Sequence, residues 1–132
     1  MTAALRTALG LVALANAITG VQAVAAPRAF YDGFPFGRGW VADLPPFNAH
    51  LTSDVGGFFL AFAVLFGWAA VRLERALVVP LCAAWAVFGL VHLVWHVTHL
   101  DGFGAADAAA QTVGLVAVLA PCVLVLLVPR AR

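Results

Sequence analysis

Residues 92–99 read HLVWHVTH, three of the chain's four histidines inside one apolar stretch. The fourth, His50, is followed four residues later by Asp54. Imidazole and carboxylate together suit borderline transition metals, so the chemistry these side chains offer is ligation of zinc, iron, copper or manganese. Helical side chains spaced i, i+3 or i, i+4 have Cβ atoms about 5 to 6 Å apart. Two ring nitrogens can then reach one ion at about 2.0 to 2.1 Å. At helical spacing His92, His96 and His99 fall within a sector of roughly 60°. The expected site is therefore one ion on His50, Asp54, His96 and His99. His92, about 10 Å from His99 along the helix axis, is left for a second ion or a proton path. Asn48, Asp101, Asp107 and Gln111 come at the same level of the chain's up-and-down course and are expected to orient imidazoles from behind.

Two other uses of the histidines compete with metal binding. Buried imidazoles can hydrogen-bond between helices, with Asp54 satisfied by Asn48 or Thr52, and Thr52 or Ser53 can cap the helix that carries it. A haem held by axial histidines is a second alternative, and it requires a ligand on the opposite side of the ring. A soft thiolate centre is not expected: Cys82 and Cys122 are expected in the inner half of the bundle, remote from the histidines, and no CxxC pair occurs. The two cysteines are expected at similar depth, as small buried hydrophobes.

Composition fixes the setting for this chemistry. Of 132 residues, 64% are hydrophobic and 10% charged, against about a quarter charged in a soluble domain, and the mean hydropathy is +1.03. The chain reads as an all-α integral membrane protein. A span needs about 20 mostly apolar residues, and four stretches qualify, near 5–26, 51–71, 77–100 and 106–128, giving one four-helix transmembrane bundle over 1–132. The first stretch resembles a signal peptide, with Arg6, an apolar run and Val21-Gln22-Ala23. Asn16, Thr19 and Gln22 share one helical face, however, which favours a retained helix with a polar stripe turned inward. Alternating spans place Arg6, Arg72, Arg75, Arg130 and Arg132 on one side of the membrane. The other side receives Arg28 and Arg38 with Asp32, Asp43, Asp101 and Asp107. The positive-inside tendency then puts both termini in the cytoplasm of a multi-pass cell (inner) membrane protein. On this topology the histidines and Asp54 gather in the outer half, where an ionisable group costs about 2.5 to 3.5 kcal/mol on insertion scales and needs a partner.

The extracytoplasmic loop 27–49, PRAFYDGFPFGRGWVADLPPFNA, is long and aromatic-rich. Aromatic residues favour the membrane interface, so it either floats there or folds as a lid, with Tyr31, Asp32 and Arg38 over a pocket for a lipid-like or quinone-like molecule. The run YDGFPFGRGW, followed by FNAHLTSDVGG and a His-bearing third span, resembles small four-span bacterial membrane proteins of the broad DoxX-like group. That resemblance covers most of the chain and implies the four-span fold, with links to redox physiology for some members; it brings no catalytic set.

Two functions follow as expectations. One is a metal-dependent oxidoreductase acting on a lipid-soluble substrate, with a hydrolase using metal-bound water as its near relative. The other is a non-enzymatic metal-binding or accessory subunit, with Trp68, Trp85 and Trp95 packing on partners. Gly10, Gly20 and Gly114 are candidate points of close helix contact or homo-oligomerisation. There is no phosphate-binding glycine loop, no GxSxG elbow and no basic patch for nucleic acid, and a net charge of +1 provides no steering field.

Overall fold

The structure, a computed structural model, describes residues 2–42 and 46–127, and the side chain of Thr2 is not among them. Asp43, Arg130 and Arg132, used above to orient the chain, lie outside the described residues, as does residue 128 at the expected end of the last span. Five helices follow one another: α1 (Thr2–Ala25), α2 (Pro27–Gly33), α3 (Ala49–Arg72), α4 (Arg75–Val97) and α5 (Ala105–Leu127). No strand occurs among the described residues. Four of the helices, α1, α3, α4 and α5, are long and apolar enough to cross a membrane. Their outward faces carry large apolar side chains, among them Leu11, Val64, Trp68, Val87, Val91, Val113 and Leu124, a composition suited to a lipid surrounding. The chain divides into two compact units, 12–68 and 1–11 with 69–132.

In the 12–68 unit, α1 and α3 cross with backbones in contact. A Cβ built on Gly20 would lie 2.8 Å from the Gly56 carbonyl oxygen and 2.9 Å from the Leu60 nitrogen, and one on Gly56 would lie 2.8 Å from Ala23 Cβ. Small residues permit such approach, which in lipid gives van der Waals contact without a hydrophobic drive. Gly20 thus serves the close contact expected of it, whereas neither Gly10 nor Gly114 would bring a Cβ within 4 Å of anything. The polar stripe of α1 is only partly turned inward: Asn16 is buried, Thr19 half-buried and Gln22 exposed. Asn16 donates its amide to the Val12 carbonyl at 2.9 Å.

The first seven residues of the 27–49 segment are helical rather than loop. Pro27 starts α2 after the single non-helical residue Ala26, because proline at a first helical position forfeits no hydrogen bond. The segment then folds on itself. Arg28 bonds Asp32 at 2.7 Å and lies over the rings of Phe47 (5.1 Å) and Tyr31 (5.9 Å). The hydrogen bond and charge of Asp32 raise the Arg28 pKa above its ordinary value. Helix α3 is capped by Asn48, whose Oδ1 accepts the Leu51 N–H at 3.1 Å. This is the N-cap role to which short polar side chains are suited, and it falls to Asn48 rather than to Thr52 or Ser53.

In the other unit α4 and α5 pack antiparallel. Trp85 donates its indole N–H to the Val118 carbonyl at 3.0 Å, and a Cβ on Gly89 would meet Leu119 at 2.9 Å. Leu81, Cys82, Trp85, Ala86, Leu119 and Cys122 form the buried seam. The turn into α4 uses Leu73 in the left-handed region (φ 53), and its N–H reaches the Ala69 carbonyl at 2.9 Å. One left-handed residue carrying that bond ends a helix by satisfying a terminal carbonyl. Arg6 takes two more of them, donating to Ala70 (2.8 Å) and Val71 (2.7 Å), which places a cation at the negative end of the helix dipole.

Candidate functional site

Helix α4 stops three residues short of the expected end, and this rearranges the histidines. The Thr98 hydroxyl donates to the carbonyls of Val94 (2.8 Å) and Trp95 (3.0 Å), and the His99 N–H turns to the His96 carbonyl at 3.1 Å, a tighter bond of the kind that closes a last helical turn. His99 therefore lies beyond the helix and does not share a helical face with His92 and His96. Its ring stacks on Trp95, centroids 4.4 Å apart and planes 7° apart, and its Nδ1 lies 2.8 Å from the Trp95 carbonyl.

His92 and His96 are brought together instead. Both sit on α4 one turn apart and half-buried, with ring centroids 4.6 Å apart and planes at 75°. On one side Phe88 stacks on His92 at 5.3 Å and 14°; on the other the edge of Trp95 meets His96 at 5.3 Å. Helix α5 supplies Gln111, which is 2% exposed. Its Oε1 lies 2.7 Å from His96 Nδ1, an oxygen placed to accept the N–H of one tautomer of the ring. Fixing one ring nitrogen by an amide or carboxylate oxygen is what orients an imidazole for metal binding through the other. An ion at about 2.0 to 2.1 Å from one nitrogen of each ring, at a tetrahedral angle, would place the two centroids about 5 Å apart, against 4.6 Å present. Gln111 Nε2 is buried without a hydrogen-bond partner, as is Asn16 Oδ1 in the 12–68 unit.

His50 and Asp54 form a pair of their own near the start of α3, His50 Nε2 to Asp54 Oδ2 at 3.4 Å, with side chains 88% and 61% exposed. Asp101 is exposed in the turn after α4, and Asp107 lies half-buried in the first turn of α5. There its charge favours the positive end of the dipole. Asn48 is engaged as the cap already described. Among the described residues, no group of three or more His, Cys, Asp and Glu side chains is placed to hold a metal ion. Cys82 and Cys122 are free thiols, both fully buried.

Sequence spacing underrated His92 as a partner of His96, because it assumed a helix running through His99. Gln111 was placed near the histidines by level alone; its pairing with His96 depends on the register of α5 against α4, which spacing within one helix does not determine. In comparisons with known proteins, no family model matches the chain, and neither a curated protein nor a solved structure does.

Proposed function

We propose that this chain is a multi-pass membrane metalloprotein whose ion is held by His92 and His96, with oxidation or reduction of a lipid-soluble substrate as its activity. The observation that carries the proposal is the 2.7 Å contact between His96 Nδ1 and Gln111 Oε1, beside a second imidazole whose ring centroid is 4.6 Å away. Buried polar groups in an apolar helix are costly enough to mark functional positions. Two imidazoles leave coordination positions open, as catalytic centres require, and imidazole ligands suit zinc, copper and iron. A quinone-like carbonyl compound is the substrate class that an apolar surrounding admits. Haem is a weaker fit, because adjacent imidazoles on one helix turn cannot stand on opposite sides of one ring.

The proposed topology has both termini on the cytoplasmic side of the cell membrane and the 26–48 segment outside. It is supported by Arg6, Arg72 and Arg75 at one set of helix ends, by the positive-inside tendency. The resemblance to DoxX-like proteins belongs to the same proposal.

A second reading is favoured by the 75° edge-to-face packing of His92 on His96, an arrangement aromatic rings adopt without an ion. On that reading the imidazoles fasten α4 to α5 within an accessory subunit. Titration of chelator-treated, untagged protein with Zn²⁺ or Cu²⁺ against a competing chelator separates the two. Near-unit stoichiometry, lost in His96→Ala and weakened about 10- to 100-fold in Gln111→Leu, supports the metalloprotein. Binding no tighter than that of His96→Ala leaves the fastener.

A further inference from the structure

The 34–42 turn displays one aromatic side chain with none of the described residues covering it. Phe36 is 99% exposed and sits at φ 51, in the left-handed region that a bulky residue rarely adopts. The position is not slack. Gly37 N–H donates to Gly33 at 2.7 Å, Arg38 N–H to Pro35 at 2.9 Å, Trp40 N–H to Phe34 at 2.8 Å and Ala42 N–H to Gly39 at 3.0 Å. Gly37 (φ 80) and Gly39 (φ 66) take the other left-handed positions, where glycine carries no Cβ penalty. A chain that bonds its backbone this fully yet places phenylalanine, rather than a third glycine or an asparagine, at the strained apex has fixed the ring in an outward position. Both strain and exposure of apolar surface oppose that arrangement in water.

We infer that Phe36 is a membrane anchor, a ring inserted at the boundary of headgroups and acyl chains of the lipid leaflet next to the α1 and α3 ends. This rests on the reading that α1 and α3 span the bilayer. The segment joins Ala25, where α1 ends, to Ala49, where α3 begins, so two span ends hold it at one membrane surface. Aromatic rings favour that depth, and irregular backbone is tolerated there because its polar groups reach water or one another. An inserted apex ties the 26–48 segment to the leaflet independently of the helices.

The test is nitroxide labelling of Phe36→Cys in the full chain in phosphatidylcholine/phosphatidylglycerol vesicles, with collision rates measured against oxygen and a water-soluble nickel chelate. The native thiols are fully buried, and unmodified protein carried through the same labelling corrects for any reaction there. Two reference labels accompany it: Ala42→Cys, exposed in the same segment, and Val64→Cys, exposed on α3. The expected result is an oxygen-to-nickel ratio several-fold higher at 36 than at 42, approaching that at 64. A ratio at 36 equal to that at 42, with 64 still shielded from nickel, overturns the anchor and leaves the spans intact. A nickel-accessible label at 64 overturns the spanning reading and the anchor with it. A label at 36 shielded from both reagents means protein contact and also overturns the anchor. Phe36→Trp, which keeps an aromatic ring, provides a second measurement: its added emission should be quenched by lipids brominated near the headgroup, and quenching by aqueous acrylamide alone contradicts the inference.

Discussion

Adjacent glycines on α3 provide a sharp test of how α1 and α3 are held together. A Cβ added at Gly56 would lie 2.8 Å from Ala23 Cβ, 2.8 Å from Val24 Cγ2 and 3.0 Å from the Val24 nitrogen, whereas one at Gly57 meets nothing within 4 Å. Carbon atoms rest at about 3.5 to 4.0 Å, so Gly56→Ala must open the crossing by about 0.7 Å or more. Overpacking of this kind costs about 1 to 3 kcal/mol. Both alanines gain the same backbone term, roughly 1 kcal/mol in favour of helix, so the difference between the two variants isolates the steric cost. Gly57→Ala should be neutral or stabilising by up to about 1 kcal/mol, and Gly56→Ala less stable than it by about 1 to 3 kcal/mol. Equilibrium unfolding in mixed dodecylmaltoside and SDS micelles, followed by circular dichroism, measures both. Indistinguishable midpoints would refute backbone contact at this crossing. Gly20→Ala, which meets the Gly56 carbonyl at 2.8 Å, should behave like Gly56→Ala.

Other outcomes follow from single contacts. Asn48→Ala removes the cap of α3 and should cost about 1 kcal/mol, with Asn48→Asp restoring most of it; the same unfolding assay reads this. Trp85→Phe deletes the hydrogen bond to Val118 while keeping a ring, and should cost about 0.6 kcal/mol, the mean for interhelical bonds in a membrane. Arg6→Ala withdraws a cation and two hydrogen bonds from the end of α3. It should destabilise by about 0.3 to 1 kcal/mol, less so in high salt, whereas Arg6→Lys keeps most of the charge effect.

How far the sequence carried depends on the kind of information each feature needs. The four long helices follow from apolar runs long enough to cross the hydrocarbon, and the ends expected within the described residues agree to within about three residues. The early end of α4 before Thr98 rests on a local backbone turn, His99 N–H to the His96 carbonyl at 3.1 Å, which hydropathy does not encode. Helix α2 was not legible: its proline- and glycine-rich surroundings read as loop, whereas Pro27 stands at its start and Phe30 packs on Phe34 at 4.6 Å. The candidate site was legible in part. Three histidines in eight residues named α4, while the pairing of His96 with Gln111 depends on the α4–α5 register. That register is fixed by contacts such as Gly89 on Leu119, which join residues 30 positions apart. His50 with Asp54 was legible as a pair from its i, i+4 spacing alone.

The most direct test is the metal content of untagged protein isolated from its membrane in mild detergent, measured by mass spectrometry beside His92→Ala, His96→Ala and His99→Ala variants of equal helix content. Near-stoichiometric copper, iron or zinc is expected in the wild type and in His99→Ala, with its loss in both His92→Ala and His96→Ala. A metal retained in His92→Ala and His96→Ala, or a wild type that holds none after reconstitution, would contradict the proposed site.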